Sequence, residues 1–285
     1  MAYPDARSAL DPKMWTDMIQ DNLYKELSAM KVADLKLKKF LAHGTEVHFP
    51  YFGALTTTAY VKGTDVTVQA LASTDEYLTV DQQWESSFYL DMIDQRQNIY
   101  ATMEAGVREA TDAIKQKIET VFYAAVVTGA ADTMDDGDIG GTPGNAIALT
   151  TVNVAKTFSL GRAKLGKALN GKRAVAVVSY AVASIIEQLA TSTGFNIQDS
   201  AFKNGYSGRF MGFEIYISEN LSTASSRTHC YFGAAEAISL AMQINPTVLI
   251  DNDPLKAGKI VKVISVFGVK TFIKGGLRIL DLQIL

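Results

Sequence analysis

Side chains able to do chemistry are few: the 285 residues include three histidines and one cysteine. His229 and Cys230 are adjacent, so on a strand they point to opposite faces, while His43 and His48 lie in a distant segment. Zinc needs three or four convergent ligands, so the pair reads as a packed thiol beside a surface imidazole. Ser179 stands between a strand-like run and a helix-like run, where a hydrolase nucleophile would stand. Its setting, VVSYA, lacks the glycines of a nucleophile elbow, and Ser179 reads as a helix N-cap. In DTMDDGDIGG, a calcium loop starting at Asp132 would place Met134 third and Pro143 twelfth. A chelating oxygen and the bidentate glutamate are thus missing, which leaves a solvated loop. Asp91 and Asp94 read as charges at a helix start.

Two patterns raise the question of phosphate or nucleic acid. NGYSGRFMGFEIYISENL, residues 204–221, has glycines at 205, 208 and 212, but they precede a strand. A phosphate loop needs them after a strand and before a helix, so that backbone N–H groups and the helix N-terminus face the anion. Phe213, Ile215 and Ile217 alternate with Glu214, Tyr216 and Ser218, the pattern of a half-buried strand entered through a glycine turn. Residues 256–280 carry Lys256, Lys259, Lys262, Lys270, Lys274 and Arg278 with no acid. On a strand, that spacing reads as a solvated face or a protected edge. No catalytic residue, cofactor-binding residue or metal ligand is assigned, and the chain is not expected to be an enzyme.

The composition, 48% hydrophobic and 20% charged, is that of a globular protein. A net charge of −3 gives no wholesale attraction to nucleic acid or to an anionic membrane. Cys230 stands alone, so no internal disulfide forms, and synthesis in a reducing cytosol is expected. MAYPDARSALDPKMW lacks the basic and apolar regions of a signal peptide, and no apolar run reaches the roughly 18 residues of a membrane span.

The elements that must position these residues are unequal. Residues 13–30 space Trp15, Met18, Ile19, Leu23 and Leu27 as a helix. Residues 44–90 are strand chemistry, with Val47, Phe49 and Tyr51 alternating, and with Leu78, Val80, Trp84, Phe88 and Leu90 expected on one face. Between them, TTTAYVKGTDVTVQ is rich in Thr and Val but short of core-sized side chains. A compact domain would not spend so much chain on such a ribbon, so the ribbon is expected to lie on something else. Ile99, Met103, Val107, Ala110, Ile114, Ile118, Val121 and Ala125 then form one apolar stripe, with no proline between Tyr51 and Thr142. Glu104–Arg108 and Lys115–Glu119 are expected as pairs on the polar faces. A helix of about 30 residues, about 45 Å long, needs an elongated body or a neighbouring subunit to cover it. After the Gly/Asp-rich loop come a helix over 152–169, a buried strand in RAVAVV, a helix over 180–189, and a strand in HCYFG. AAEAISLAM reads as a short helix, and GKIVKVISVFGVKTFIKGGLRILDLQ as two strands.

This order of elements resembles the major capsid proteins of tailed bacteriophages, the HK-ninety-seven-type fold, over roughly residues 15–285. GTEVHFPYFGALTTTAYVKGTDV is similar to the family's extended E-loop. LTVDQQWESSFYL and the long helix are similar to the returning strand and spine helix of its P domain. RAVAVVSYAVASIIEQL and GYSGRFMGFEIYISENL resemble its A domain, and the tail resembles its closing P-domain strands. The resemblance implies an α+β fold: an N-terminal arm and helix (1–45), an E-loop β-hairpin (46–90), a P domain with spine helix (91–135), a mixed α/β A domain (136–245) and closing P-domain strands (246–285). It further implies a non-enzymatic subunit that self-assembles as pentamers and hexamers into an icosahedral shell around double-stranded DNA, held non-specifically, with no cofactor and no membrane. The site implied is the virion, assembled in the host bacterial cytoplasm. Only about a dozen residues precede the first predicted helix, so scaffolding is expected from a separate protein, alongside a portal protein. Some relatives join neighbours through a Lys–Asn isopeptide bond; Lys62 sits near the expected E-loop tip, where a charged turn is the plainer reading. An encapsulin-like cellular compartment shares the fold, a two-domain enzyme around Tyr180 would need a pocket, and a tail tube subunit would need little long helix.

Overall fold

The computed structural model describes residues 27–37, 44–53, 55–97, 102–130, 132–169, 171–193, 206–253, 256–271 and 279–285. Most of the first expected helix, His43, Ile99 and Gly205 lie outside them. The long helix, α3, spans Thr102–Gly129 without a break. Its buried line runs Ala110, Ile114, Ile118, Phe122 and Val126, joined by Glu119 and Tyr123. The expected continuation through Val121 and Ala125 is one residue off. Phe122 and Tyr123 are larger than those two, and at +4 from Ile118 and Glu119 they take the inward positions. Glu119, expected on the polar face, is buried.

Two sheets flank this helix. In the smaller, Gln82–Asp91 (β3) pairs with Gly258–Thr271 (β11), which pairs with Ile238–Asn252 (β10), all antiparallel. One face, with Val263 and Phe267, packs on α3. Gly106 of α3 sits directly on the Phe88 ring, and a Cβ there would collide with it. Trp84 lies under Lys117, whose Nζ is 4.0 Å from the ring centre. The other face, at Gly268, meets the backbone at Thr79. Leu78 and Val80 therefore pack with Leu37, Val47 and Ala241, whereas Trp84 and Phe88 face α3. The single face expected for these five residues is split where the chain crosses the sheet. β11 is the central strand, so its lysines protect no edge.

AAEAISLAM is not a helix. Ile238–Met242 form the buried start of β10, where the long ladder with β11 outweighs alanine's helix propensity.

The larger sheet runs Asp132–Met134 (β4), Ile279–Ile284 (β12), Arg227–Ala234 (β9), Ala174–Val178 (β5), Phe213–Ile217 (β7) and Tyr206–Phe210 (β6), with Thr223–Ala224 (β8) beside β9. The two tail strands thus enter different sheets. Helix Val154–Leu165 (α4) brings Phe158 against Phe210, Phe213 and Phe232. Helix Tyr180–Thr193 (α5) follows β5. A parallel β5–β7 pair, bridged by α5, sits among antiparallel neighbours, which makes the fold α+β with a mixed sheet. β7 is buried along both faces rather than half-buried.

Candidate assembly surfaces

Strands Glu46–Phe52 (β1) and Ser73–Thr79 (β2) pair antiparallel and leave the body as a ribbon. Among the described residues only its root is packed: Val47, Leu78 and Val80 lie against Leu37 and Ala241. Beyond β1 and β2, the described residues from Leu55 to Ala72 form no strand, and nearly all are exposed. Gln69 holds the two sides together in place of a ladder. Its carbonyl accepts the Thr56 N–H at 3.0 Å, and its amide donates to the Thr56 carbonyl at 2.9 Å. Leu55, Tyr60, Val61, Val66, Val68 and Leu71 stand in water, Val68 with 89% of its surface exposed. Exposed apolar side chains gathered on one segment are what a protein contact would cover.

At the ribbon root, His48 Nδ1 is 2.7 Å from Asp75 and Nε2 is 3.4 Å from Glu46. The Asp75 hydrogen bond raises the imidazole pKa above its ordinary 6.5, with a smaller contribution from Glu46. The imidazolium therefore braces the ribbon fully below about pH 6.5, and that support is lost as pH rises through the raised folded value. Amide hydrogen exchange in β1 and β2 should accelerate over that window. In His48→Gln the same pH step should leave exchange free of this extra acceleration, and equal responses in both proteins would count against the brace.

A second junction lies inside the body. The short helix Ser28–Val32 (α1) begins at the Glu119 carboxylate. Glu119 accepts from Ser28 N–H at 2.5 Å, Ser28 Oγ at 2.9 Å, Ala29 N–H at 3.4 Å, Ser218 Oγ at 3.3 Å and Asn220 Nδ2 at 2.6 Å. Tyr123 donates to Ser28 Oγ, and burial pushes its phenol pKa far up, so the proton stays. Five donors replace the water that a buried carboxylate would otherwise need, and they join residues 28, 119 and 218–220 at one point. The sequence signal, Glu119 one residue after an apolar stripe position, resembled any helix-surface glutamate.

The residues that could have done chemistry are kept apart. His229 is buried rather than at the surface, because both faces of β9 are covered, and Cys230 is buried with it. His48 lies on the ribbon, in a different sheet. Among the described residues no group of His, Cys, Asp or Glu is placed to hold a metal ion. Ser179 occupies the N-cap position of α5, with its carbonyl accepting the Ala183 N–H and Glu219 accepting the Tyr180 N–H. The acidic loop is not merely solvated. Asp136 accepts the Thr142 N–H at 2.9 Å, Asp135 accepts the Gly144 N–H at 2.6 Å, and Lys164 donates to Asp138 at 2.7 Å. An ammonium thus sits where an ion would be sought.

Gly212 answers to geometry. With Met211 it forms a two-residue hairpin turn, both at positive φ, that joins β6 to β7, and a Cβ at 212 would collide with the Arg162 guanidinium. Asp91 accepts the Ile93 N–H at the start of helix Met92–Gln97 (α2), as a helix-start charge does. Lys262 pairs with Asp251 at 3.1 Å. What remains for function is surface: the ribbon and the body around it.

Comparison with known proteins agrees. The chain is similar over its full architecture to a structure of Mycobacterium phage Che8, at 19% identity and a TM-score of 0.74, with 98% of each chain covered. It is similar to the capsid of Cyanophage P-SCSP1u, at 13% identity and 0.70, covering 98% of this chain and 94% of that one. The capsid of Ralstonia phage GP4 matches at 11% identity and 0.67, covering 100% and 98%. At these identities the likeness is one of fold. No curated protein sequence matches the chain. The cellular-compartment and two-domain-enzyme readings find no support among these likenesses. The phage capsid protein family matches residues 54–277, from the ribbon to the end of the small sheet, so this chain belongs to that family and is a structural major capsid protein.

Proposed function

We propose that this subunit closes as pentamers and hexamers into an icosahedral shell around the double-stranded DNA of a tailed bacteriophage, and that it catalyses nothing. The observation that carries the reading is the ribbon, whose exposed apolar side chains find no cover among the described residues of their own chain. Residues 46–90 hold the E-loop, whose ribbon, about residues 46–83, lies on a neighbouring subunit more than on its own body. Residues 1–45 are the N-terminal arm, 91–135 the P domain with α3 as spine, and 136–245 the A domain. Strand pairing argues for three changes to these ranges: β3, at Gln82–Asp91, and β10, from Ile238, enter the P-domain sheet, and β12, at Ile279–Ile284, joins the A domain.

The partners are further copies, a separate scaffolding protein, a portal protein and the packaged duplex, with assembly in the host bacterial cytoplasm. A net charge of −3 suits a container through which DNA must slide. Individually weak contacts suffice, because each tile makes many of them once the shell closes. Negative-stain electron microscopy of the purified full chain should show small oligomers passing to closed particles as concentration rises, without metal or nucleotide. A strictly monomeric protein at high concentration, even with a co-expressed scaffold, would overturn the reading.

A further inference from the structure

The charge on this chain is divided between two surfaces. With His48 counted as neutral, from Glu46 to Asp81 Lys62 stands against Glu46, Asp65, Asp75, Glu76 and Asp81, a balance of 1 − 5 = −4. The whole chain carries −3, so everything outside the ribbon sums to +1. The opposite sign gathers at one end of the large sheet. There Glu214, at the start of β7, is shared by Arg173 at 2.7 Å and Arg209 at 2.9 Å. Glu236, after β9, is shared by Lys36 at 2.7 Å and Lys172 at 3.7 Å. Lys31 lies over the Tyr216 ring on β7, and Asp34 spends its carboxylate on the Lys36 N–H. Five cations thus face three carboxylates along a strip that runs from α1 to β6. Met30 and Leu35 are exposed beside its lysines.

Ribbon and strip are complementary in both respects: one is acidic and apolar, the other basic with apolar side chains between its charges. We propose that the ribbon of one copy docks on the Lys36–Lys172–Arg173–Arg209 strip of the next copy. The contact is heterologous, so it repeats around a ring. This rests on the reading of the ribbon as an intersubunit element, and adds the surface that receives it. The ribbon fits the strip better than the packaged duplex does. It needs cover for its apolar row, which a phosphate backbone cannot supply, and a duplex held by arginines would resist sliding.

The test is a polarity exchange in the full chain, read as the yield of closed particles by electron microscopy and sedimentation. Asp65→Lys with Glu76→Lys and Asp81→Lys reverses the ribbon, from −4 to +2. Lys36→Glu with Arg209→Glu reverses the strip and leaves Arg173 on Glu214. Each reversal alone should lower the yield by about tenfold or more, since like charges then face each other across the contact. All five substitutions in one chain should restore it, because a ribbon of +2 then meets a strip whose five cations against three carboxylates have become three against five. Wild-type yield from either reversal alone overturns the proposal. So does a combined variant no better than its parents, the result expected if the strip meets DNA or another face.

If the reversed strip does not fold, Lys36→Gln with Arg209→Gln replaces it. Its particle yield should then be low and insensitive to salt, whereas the wild-type yield should fall as salt screens the contact. An unchanged salt response overturns the proposal. Harmless reversals combined with loss of shells on removing residues 56–69 would sink this docking site alone. Absence of wild-type particles would sink the shell reading itself.

Discussion

Deleting Thr56 to Gln69 is expected to leave a soluble, folded subunit that forms no shells. The removed residues are exposed or nearly so, and they contribute nothing to the clusters around α3 or the ribbon root. Leu37, Val47, Leu78, Val80 and Ala241 remain, and so does the bond from the Gly53 N–H to the Ala72 carbonyl at 2.9 Å. Shortening a solvent-exposed loop changes closure entropy only slowly with length, so the melting midpoint should move by an amount equivalent to about 1 kcal/mol or less. The loss falls on assembly, because Tyr60, Val61, Val66 and Val68 go together. Circular dichroism and electron microscopy of the same preparation separate the two effects. An unfolded deletion would mean the ribbon belongs to its own core, and intact shells would mean it is not an assembly element.

Ile114→Asp in α3 is expected to unfold or nearly unfold the subunit, at a cost of several kcal/mol, on the order of 3 to 5. Ile114 is 2% exposed in the main cluster, so a carboxylate there has apolar neighbours. The native Glu119, 4% exposed on the same helix, shows what burying that group requires: five donors aimed at its two oxygens. Position 114 lies within the apolar cluster instead. Glu109→Gln, on an exposed position, should change stability by about 0.5 kcal/mol or less. Denaturant melts of both variants check the burial line, and equal losses would show that the line lies elsewhere on the helix.

Period and composition were readable where one face of one element decided burial. α3 was visible because a break-free stripe needs only local spacing. β5 was visible because five consecutive buried residues leave little alternative. The thin ribbon could be recognised from its want of core-sized residues. Failures occur where a partner element decided. AAEAISLAM has a helix-forming composition, yet it lies along β11, and strand pairing is not written in the segment itself. Phe213–Ile217 alternates like a half-buried strand, but its polar positions lie under a second layer, with Glu214 made tolerable by two arginines.

By itself, then, the sequence determined the long helix, the uncovered ribbon, the shortage of catalytic residues and, through the order of elements, the capsid fold. These follow from chain-local quantities: hydrophobic period, turn residues and side-chain inventory. Tertiary structure alone decided that Glu119 is a buried junction, that Leu78 and Phe88 serve opposite faces, and that β11 and β12 enter different sheets. It also brought Lys36, Lys172, Arg173 and Arg209 into one strip from three distant segments. Such facts depend on which remote groups meet, and a periodic pattern carries no record of a partner 91 or 200 positions away, as Ser28 with Glu119 and Lys36 with Glu236 show.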